Sequence, residues 1–519
     1  MSDAITVILD GKNKEDISDR LISLSVEYEV NNVPWAELSM LAGDFANRKY
    51  PLFQEGGYKV GKELDIKIRY EGASQKEQSI FKGIITKRKF ESRDGLPLMV
   101  LGLNDPSFQL KDAVNTAFFI NKNDEEMIKQ TLKPFGGLSL KKANAGLSSF
   151  KFDQYVKKQT TGWRFILDRI KAHGMLMSLS NGAMKIVKLD ETEGELKLDV
   201  GIDNIIEIAL EEDVSALNKE IKLNYWDVEK NESMELKRTF SGASEKKINA
   251  SSSYVFLDIT SKAEANAMLD YFGSRQELNQ VKGAITILGN SSVRLMQKLS
   301  INSLPSGFKD NYPITNVSHK VKLGMWTTKV GIGISNFSLL NGNRQKEAQS
   351  NKNKEVEIAK ALKWEKDPQG LGRVPVQVMA FGKEKYWAYP AQMTTGSKQR
   401  SFILPEEGEQ VVLGFMHNTY NQGVILTSVY LKKNPPKSPF KMDAKSPVGF
   451  ISKEGLQLIF DDEKKKIQIT TPKESKLILS DGDGIDLKSK KDINLDSKGK
   501  ISLKASGTVK VKGQTINLN

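Results

Sequence analysis

The chain has 519 residues, a formal net charge of +13 and no cysteine, which excludes disulfides and thiolate chemistry. Its 39% apolar and 27% charged residues are ordinary for globular domains, and the length suits about three or four of them. No stretch approaches the roughly 18 apolar residues of a membrane span, and the opening MSDAITVILDG lacks a signal-peptide pattern, so assembly in the cytoplasm is expected. Lysines alternate with acids, as in EKKKIQITTPKESK. The positive charge therefore reads as solvated strand faces, and no nucleic-acid partner is expected.

Residues 1 to about 110 read as strands, with Leu64, Ile66 and Ile68 alternating in KELDIKIRY. Gly56-Gly57-Tyr58-Lys59-Val60-Gly61-Lys62 satisfies most of the phosphate-loop pattern. However, Glu63 replaces the Ser or Thr that would hold magnesium, and a strand follows where the motif requires a helix. Asp124 to Leu132 and Thr160 to His173 read as helices, the second with Trp163, Ile166, Leu167 and Ile170 on one stripe and Gly174 placed to end it. A hairpin follows, in which Met175, Met177 and Leu179 meet Met184 and Ile186 across an Asn181-Gly182 turn.

Strands resume from about Val200 to Leu340, interrupted by a helix that Ser261 and Glu264 open as a capping box. Two barrel-like β modules, about 1–110 and 200–340 with an α/β insert between, make residues 1–345 one hub region, closed by the polar linker NGNRQKEAQSNKNK. Residues 356–432 carry turn signals at Asp367-Pro368, Gly370, Gly372, Gly382, Gly408 and Asn421, and suit a five-stranded barrel of the oligonucleotide/oligosaccharide-binding (OB) type. Residues 433–449 are a stiff prolyl linker, and 450–519 form the last domain. The fold class is mainly β with minor α.

That last domain repeats every eight residues. Leu477, Ile485, Ile493, Ile501 and Val509 stand one octad apart, and Leu479, Leu487, Leu495, Leu503 and Val511 follow each at i+2. Side chains at i and i+2 of a strand share a face, so each octad is one short strand and one bend, fed by a hairpin-like passage from Leu456 to Thr471. A solenoid coil needs about three faces, or about 24 residues. Five octads give one chain fewer than two coils, whereas three chains close five layers. The arithmetic favours a trimeric, intertwined β-helix (prism) whose core is these ten residues. Beyond Val511 the next apolar pair, Ile516 and Leu518, comes seven residues after Val509, so the register slips.

Chemistry is thinly represented. His173, His319 and His417 have no ligand-spaced partners, so no metal site is expected. Glu406, Glu407 and Glu409 lie in polar, turn-like sequence unsuited to a perturbed catalytic carboxyl, and Asp481-Gly482-Asp483-Gly484 reads as a plain turn. No catalytic residue, cofactor or enzymatic activity is expected.

The passages DPQGLGRVPVQV, YWAYP, FILPEEGEQVVLGF and NQGVILTSVY resemble the barrel of VgrG-type spike proteins of contractile injection systems, including type VI secretion and phage baseplates. The matching positions are Asp367, Pro368, Gly370, Leu371, Gly372, Arg373, Val374, Trp387, Pro405, Gly408, Glu409, Val411 and Phe415. SPVGFISKEGLQLIFDD is similar to the entry into that family's prism, and residues 80–83 and 104–110 are more weakly similar to its hub. The resemblance implies a homotrimeric, membrane-puncturing spike that caps an Hcp-like inner tube and meets baseplate wedge proteins, effector cargo and the target-cell membrane. It further implies delivery outward with the particle. A PAAR-type tip protein is expected to dock on Thr515, Ile516, Asn517, Leu518 and Asn519, because no histidine follows His417 to close a self-made point. No room is left for a lysozyme before the repeats, and no effector domain is expected after them. The alternative reading is a trimeric tail-fibre-like protein that binds a receptor or glycan.

Overall fold

A computed structural model describes residues 5–11, 14–54, 58–70, 76–141, 147, 150–188, 191–215, 217–227, 232–240, 249–255, 262–308, 311–334, 356–416 and 420–517. Gly56, Gly57, Ser261, the linker 341–354, His417, Leu518 and Asn519 lie outside the described residues. The chain divides into two units, residues 1–428 and 429–519.

Alternating apolar residues build one long sheet in the first unit. Its antiparallel path runs Ile205–Glu212, Val281–Leu288, Met325–Ile332, Asn311–Lys322, Leu21–Glu29, Trp35–Leu41, Leu96–Asn104, Gln78–Arg93, Glu63–Tyr70, Ile5–Asp10 and Lys14–Asp16. Strands from the first hundred residues thus join strands from beyond residue 200. The seam is Leu21–Glu29 against Asn311–Lys322, with Val26 opposite His319 and Tyr28 opposite Val317. One core gathers Val7, Leu24, Val26, Leu38, Ile66, Phe81 and Leu101 on the early side of the seam. A second gathers Ile285, Leu299, Ile301, Ile314 and Val330 on the late side. Leu64, Ile66 and Ile68 all point inward, as their alternation requires.

The insert between them is a ribbon, two helices and a hairpin. Helix Asp124–Leu132 starts where Asn123 and Glu126 cap each other, at 2.9 and 3.0 Å, with three acids in its first turn. Helix Gly162–Ala172 starts at the Thr161 hydroxyl, which accepts from Arg164 N–H, and it buries Phe165, Ile166 and Ile170. Hairpin Met175–Ser180 and Ala183–Lys188 pairs Met177 with Ile186 and Leu179 with Met184. A third helix, Lys262–Leu278, covers the small sheet of Glu220–Asp227, Glu232–Thr239 and Ser251–Val255.

These helices meet around a buried ion cluster. The Asp124 carboxylate accepts from Arg169 (Nη2 to Oδ2 2.9 Å) and faces His173 Nε2 at 2.6 Å, while Glu264 lies 3.6 Å from Arg169. Burial alone would raise the Asp124 pKa, but the Arg169 charge and the His173 contact outweigh it and hold it at about 2. Gly174, at φ +66°, lets the chain turn beside the third helix, for a Cβ there would stand 2.6 Å from Tyr271 Cβ and 2.7 Å from Ala267 O.

Gly174→Ala therefore adds a steric clash to left-handed strain and should cost on the order of 2 kcal/mol or more. Gly201→Ala, at φ +93° with open space around its Cβ, carries the strain alone. Thermal unfolding followed by circular dichroism should rank Gly174→Ala well below Gly201→Ala.

Candidate functional site

The matched motif folds on a closed five-stranded barrel of Glu357–Ala361, Val374–Val378, Lys385–Pro390, Gly423–Val429 and Gln410–Phe415. Its interior is Ala359, Val374, Val376, Val378, Tyr386, Ala388, Val411 and Leu413, joined by Val156 from the insert. Asp367 organises the loop that enters it. One carboxylate accepts the backbone N–H groups of Gln369, Leu371 and Arg373 at 3.0, 3.0 and 3.2 Å, and the Arg373 guanidinium through Nε and Nη2 at 3.1 and 2.8 Å. The loop closes on itself because Gly370 and Gly372 take φ of +68° and +74°, which costs a glycine nothing. Burial opposes the Asp367 charge, but the Arg373 and backbone hydrogen bonds prevail, and its pKa falls to about 2. Pro405 and Gly408 sit in the loop before Gln410, where Gly408 N–H donates to Ala361 O at 2.9 Å and Glu409 accepts the Ser428 hydroxyl at 2.8 Å.

Arg373 also reaches out of the barrel. Its Nη1 pairs with Asp153 at 2.6 Å, and its guanidinium lies 6.0 Å from the Trp387 ring centre. Asp153 belongs to strand Phe152–Thr161, which pairs with Val114–Lys122 as a two-stranded ribbon. The Gln154 amide donates to Trp387 O and Asn421 O at 2.9 and 3.0 Å and accepts Trp387 N–H at 3.0 Å. Val156 N–H donates to Asn421 Oδ1, and Lys158 pairs with Glu357. On the same strand, Phe152 and Tyr155 lie against Arg169 of the buried cluster, 4.9 and 5.1 Å from its guanidinium. The ribbon thus ties barrel to hub. Reading the motif alone missed Asp153, Gln154 and Lys158, which lie more than 200 residues upstream of it in a stretch, FDQYVKK, without a clear strand alternation.

In the second unit the octads appear as strands only in part. Val448–Ile451, Gln457–Asp461, Lys466–Thr470, Lys476–Ser480 and Gly484–Lys488 form an antiparallel meander, where the period pointed to one strand and one bend per layer. Its registers align two apolar columns on one face, Val448–Phe460–Ile467–Leu479–Ile485 and Phe450–Leu458–Ile469–Leu477–Leu487. The apolar face therefore begins at Val448, upstream of the octads. Ile485 is 74% exposed and Phe450 59%. From residue 489 to 517 there is no strand, and Ile493, Leu495, Ile501, Leu503, Val509, Val511 and Ile516 are all exposed, Leu503 at 75%. Thr515 and Asn517 are exposed beside them.

The other candidates remain scattered. His173 faces Asp124, while His319 is buried against Thr328 at 3.0 Å, and burial followed by the Arg294 charge pushes its pKa down to about 4. Glu406 and Glu407 are exposed, and Asp481 to Asp483 form the exposed turn that leads into strand Gly484–Lys488. Among the described residues no three His, Asp or Glu side chains gather as a metal site, and no helix is long and apolar enough to cross a membrane. Tyr58 to Lys62 lead into strand Glu63–Tyr70.

A family model described as the Alg8 N-terminal domain matches residues 3–322, and the type VI secretion system/phage-baseplate injector OB domain matches residues 362–430. Among solved structures, the VgrG complex with PdpA from Francisella, in its lidded form, is similar with a TM-score of 0.59 at 11% identity, over 93% of this chain and 80% of that one. The 43 kDa tail protein of prophage MuSo2 from Shewanella oneidensis gives 0.50 at 14% identity, over 63% of this chain and 98% of that one. A tail protein from Neisseria meningitidis gives 0.50 at 12%, over 64% and 97%. No curated protein matches significantly. The fold is that of VgrG-type spikes and phage tail proteins, mainly β with an OB-type barrel.

Arg373→Met leaves two carboxylates beside an apolar side chain, and breaking such a buried pair costs about 3–5 kcal/mol. The pH sign follows from the depressed Asp367 pKa. Its stabilisation is complete above the usual carboxylate value near 4 and disappears as pH falls through about 2. Trp387 fluorescence during acid titration should show barrel opening at higher pH in Arg373→Met than in the parent.

Proposed function

The chain belongs to the family of the Alg8 N-terminal domain over residues 3–322, and with an injector-type barrel following it, we propose that the protein is the central spike and baseplate hub of a contractile injection system. It acts as a homotrimer that caps an inner tube and is driven through a target membrane, and its work is mechanical and non-enzymatic. The observation that carries this reading is the unpartnered apolar face of residues 448–517. Eight of the ten aligned side chains and three further octad pairs are exposed in one chain, with Leu458 and Leu477 half-buried, although burying each is worth about 1.5–3 kcal/mol. Two more copies of the same chain supply matching columns at the same spacing, and threefold closure leaves no apolar column outside.

A spike that transmits thrust must also resist shear between its parts. The Arg373–Asp153 and Gln154 contacts supply that resistance where barrel meets hub. Docking of a PAAR-type tip protein on Thr515–Asn519, an Hcp-like tube on the hub, wedge proteins and effector cargo belong to the same proposal. A second reading, a glycan- or receptor-binding fibre, draws on a 260 Å³ cleft beside the motif, lined by Trp364, Phe402 and Leu404, two of which are exposed aromatics. Binding on a glycan array, abolished by Trp364→Ala, would support that reading instead.

Ile493→Asp places three carboxylates in one dry layer of the trimer, a cost of several kcal/mol. Sedimentation velocity should show the parent as a trimer and the variant dissociated or aggregated. A variant that sediments as a soluble trimer indistinguishable from the parent would refute the intertwined prism.

A further inference from the structure

Charge is unevenly divided along the second unit. Residues 448–496 hold nine lysines against ten acids, whereas residues 497–517 hold five lysines, Lys498, Lys500, Lys504, Lys510 and Lys512, and no acid. All five are exposed, and among the described residues none has an ion-pair partner. Upstream, by contrast, Lys488 pairs with Asp486 and Lys490 with Glu474, at 2.7 and 2.6 Å. The octad register explains why burial of the apolar columns does not bury the lysines. Every one stands outside octad positions one and three, and in the extended octads of the proposed trimer Lys510, between Val509 and Val511, would take the face opposite theirs.

We infer that residues 497–517 form a polycationic collar that docks on the anionic lipid surface of the membrane to be pierced. This rests on the trimeric spike reading above. Five lysines in each of three chains make fifteen, spread over about three layers, or roughly 14 Å of rod at about 4.8 Å per strand. That is about one positive charge per ångström, at least as dense as the one charge per 1.7 Å of duplex DNA. A rod so charged condenses counterions and releases them on contact with an anionic surface, so binding is favourable and steeply salt-dependent. Lysine suits a fluid headgroup layer, because its ammonium is a flexible point charge that needs no fixed partner geometry. Residues 489–519 contain no arginine and no aromatic side chain, the groups that grip and stack nucleic acid, which favours lipid over DNA or RNA as the occupant. The collar gathers the rod at the target surface before thrust is applied.

The test is co-sedimentation of the full-length protein with vesicles of phosphatidylcholine alone or mixed with phosphatidylglycerol, in low and high salt. Sedimentation velocity on the same preparations reports the oligomer separately, so loss of the trimer and loss of lipid binding are read independently. The parent should pellet with the anionic vesicles only, and high salt should release it. Changing Lys498, Lys500, Lys504, Lys510 and Lys512 to Gln should weaken that binding at least tenfold while the trimer persists. Gln at Lys453, Lys464, Lys465, Lys466 and Lys473 of the balanced region should leave it unchanged. Equal binding by both variants would overturn the assignment. So would a parent trimer that ignores anionic vesicles, including one that binds a duplex oligonucleotide instead.

Discussion

Arg373 is the group on which the first unit's mechanical continuity depends. It sits almost fully buried between Asp367 of its own loop and Asp153 of the ribbon. A buried guanidinium is tolerable only where carboxylates and hydrogen-bond acceptors surround it. That requirement holds the loop and the ribbon together. Asp367 in turn spends its remaining acceptor sites on three backbone N–H groups, so the loop cannot loosen without exposing unpaired donors. The motif thus combines a local turn with a long-range clasp.

The ribbon extends that clasp into the hub. Gln154, Val156 and Lys158 engage the barrel, while Phe152 and Tyr155 pack on Arg169, which Asp124 neutralises at the head of its own helix. Two buried arginines therefore lie against one strand, each matched by carboxylates. The contacts between barrel and ribbon thus include directional hydrogen bonds and ion pairs besides the apolar packing of Val156.

The second unit is held by the opposite physics. Its meander satisfies backbone hydrogen bonds within one chain, but the aligned columns it creates have no apolar counterpart there. A sheet with one wet apolar face is incomplete, and the lysine-bearing positions between the columns define the surface that stays in water. The apolar columns and the polar positions between them therefore follow from one eight-residue register.

The sequence by itself determined the features whose physics is local. Octad spacing, the helices near 124 and 162 and the Asn181-Gly182 hairpin all depend on near neighbours, where periodicity, caps and turn residues act. The glycine-bearing loop around Asp367 was legible for the same reason. Only the tertiary structure decided which distant strands share an edge. The pairing of Leu21–Glu29 with Asn311–Lys322, and of Asp153 with Arg373, spans hundreds of residues, and no local preference encodes the choice among many compatible edges. It also carried the apolar face back to Val448, because cross-strand register, set by the turns between strands, places Phe450 and Phe460 in columns with the octads.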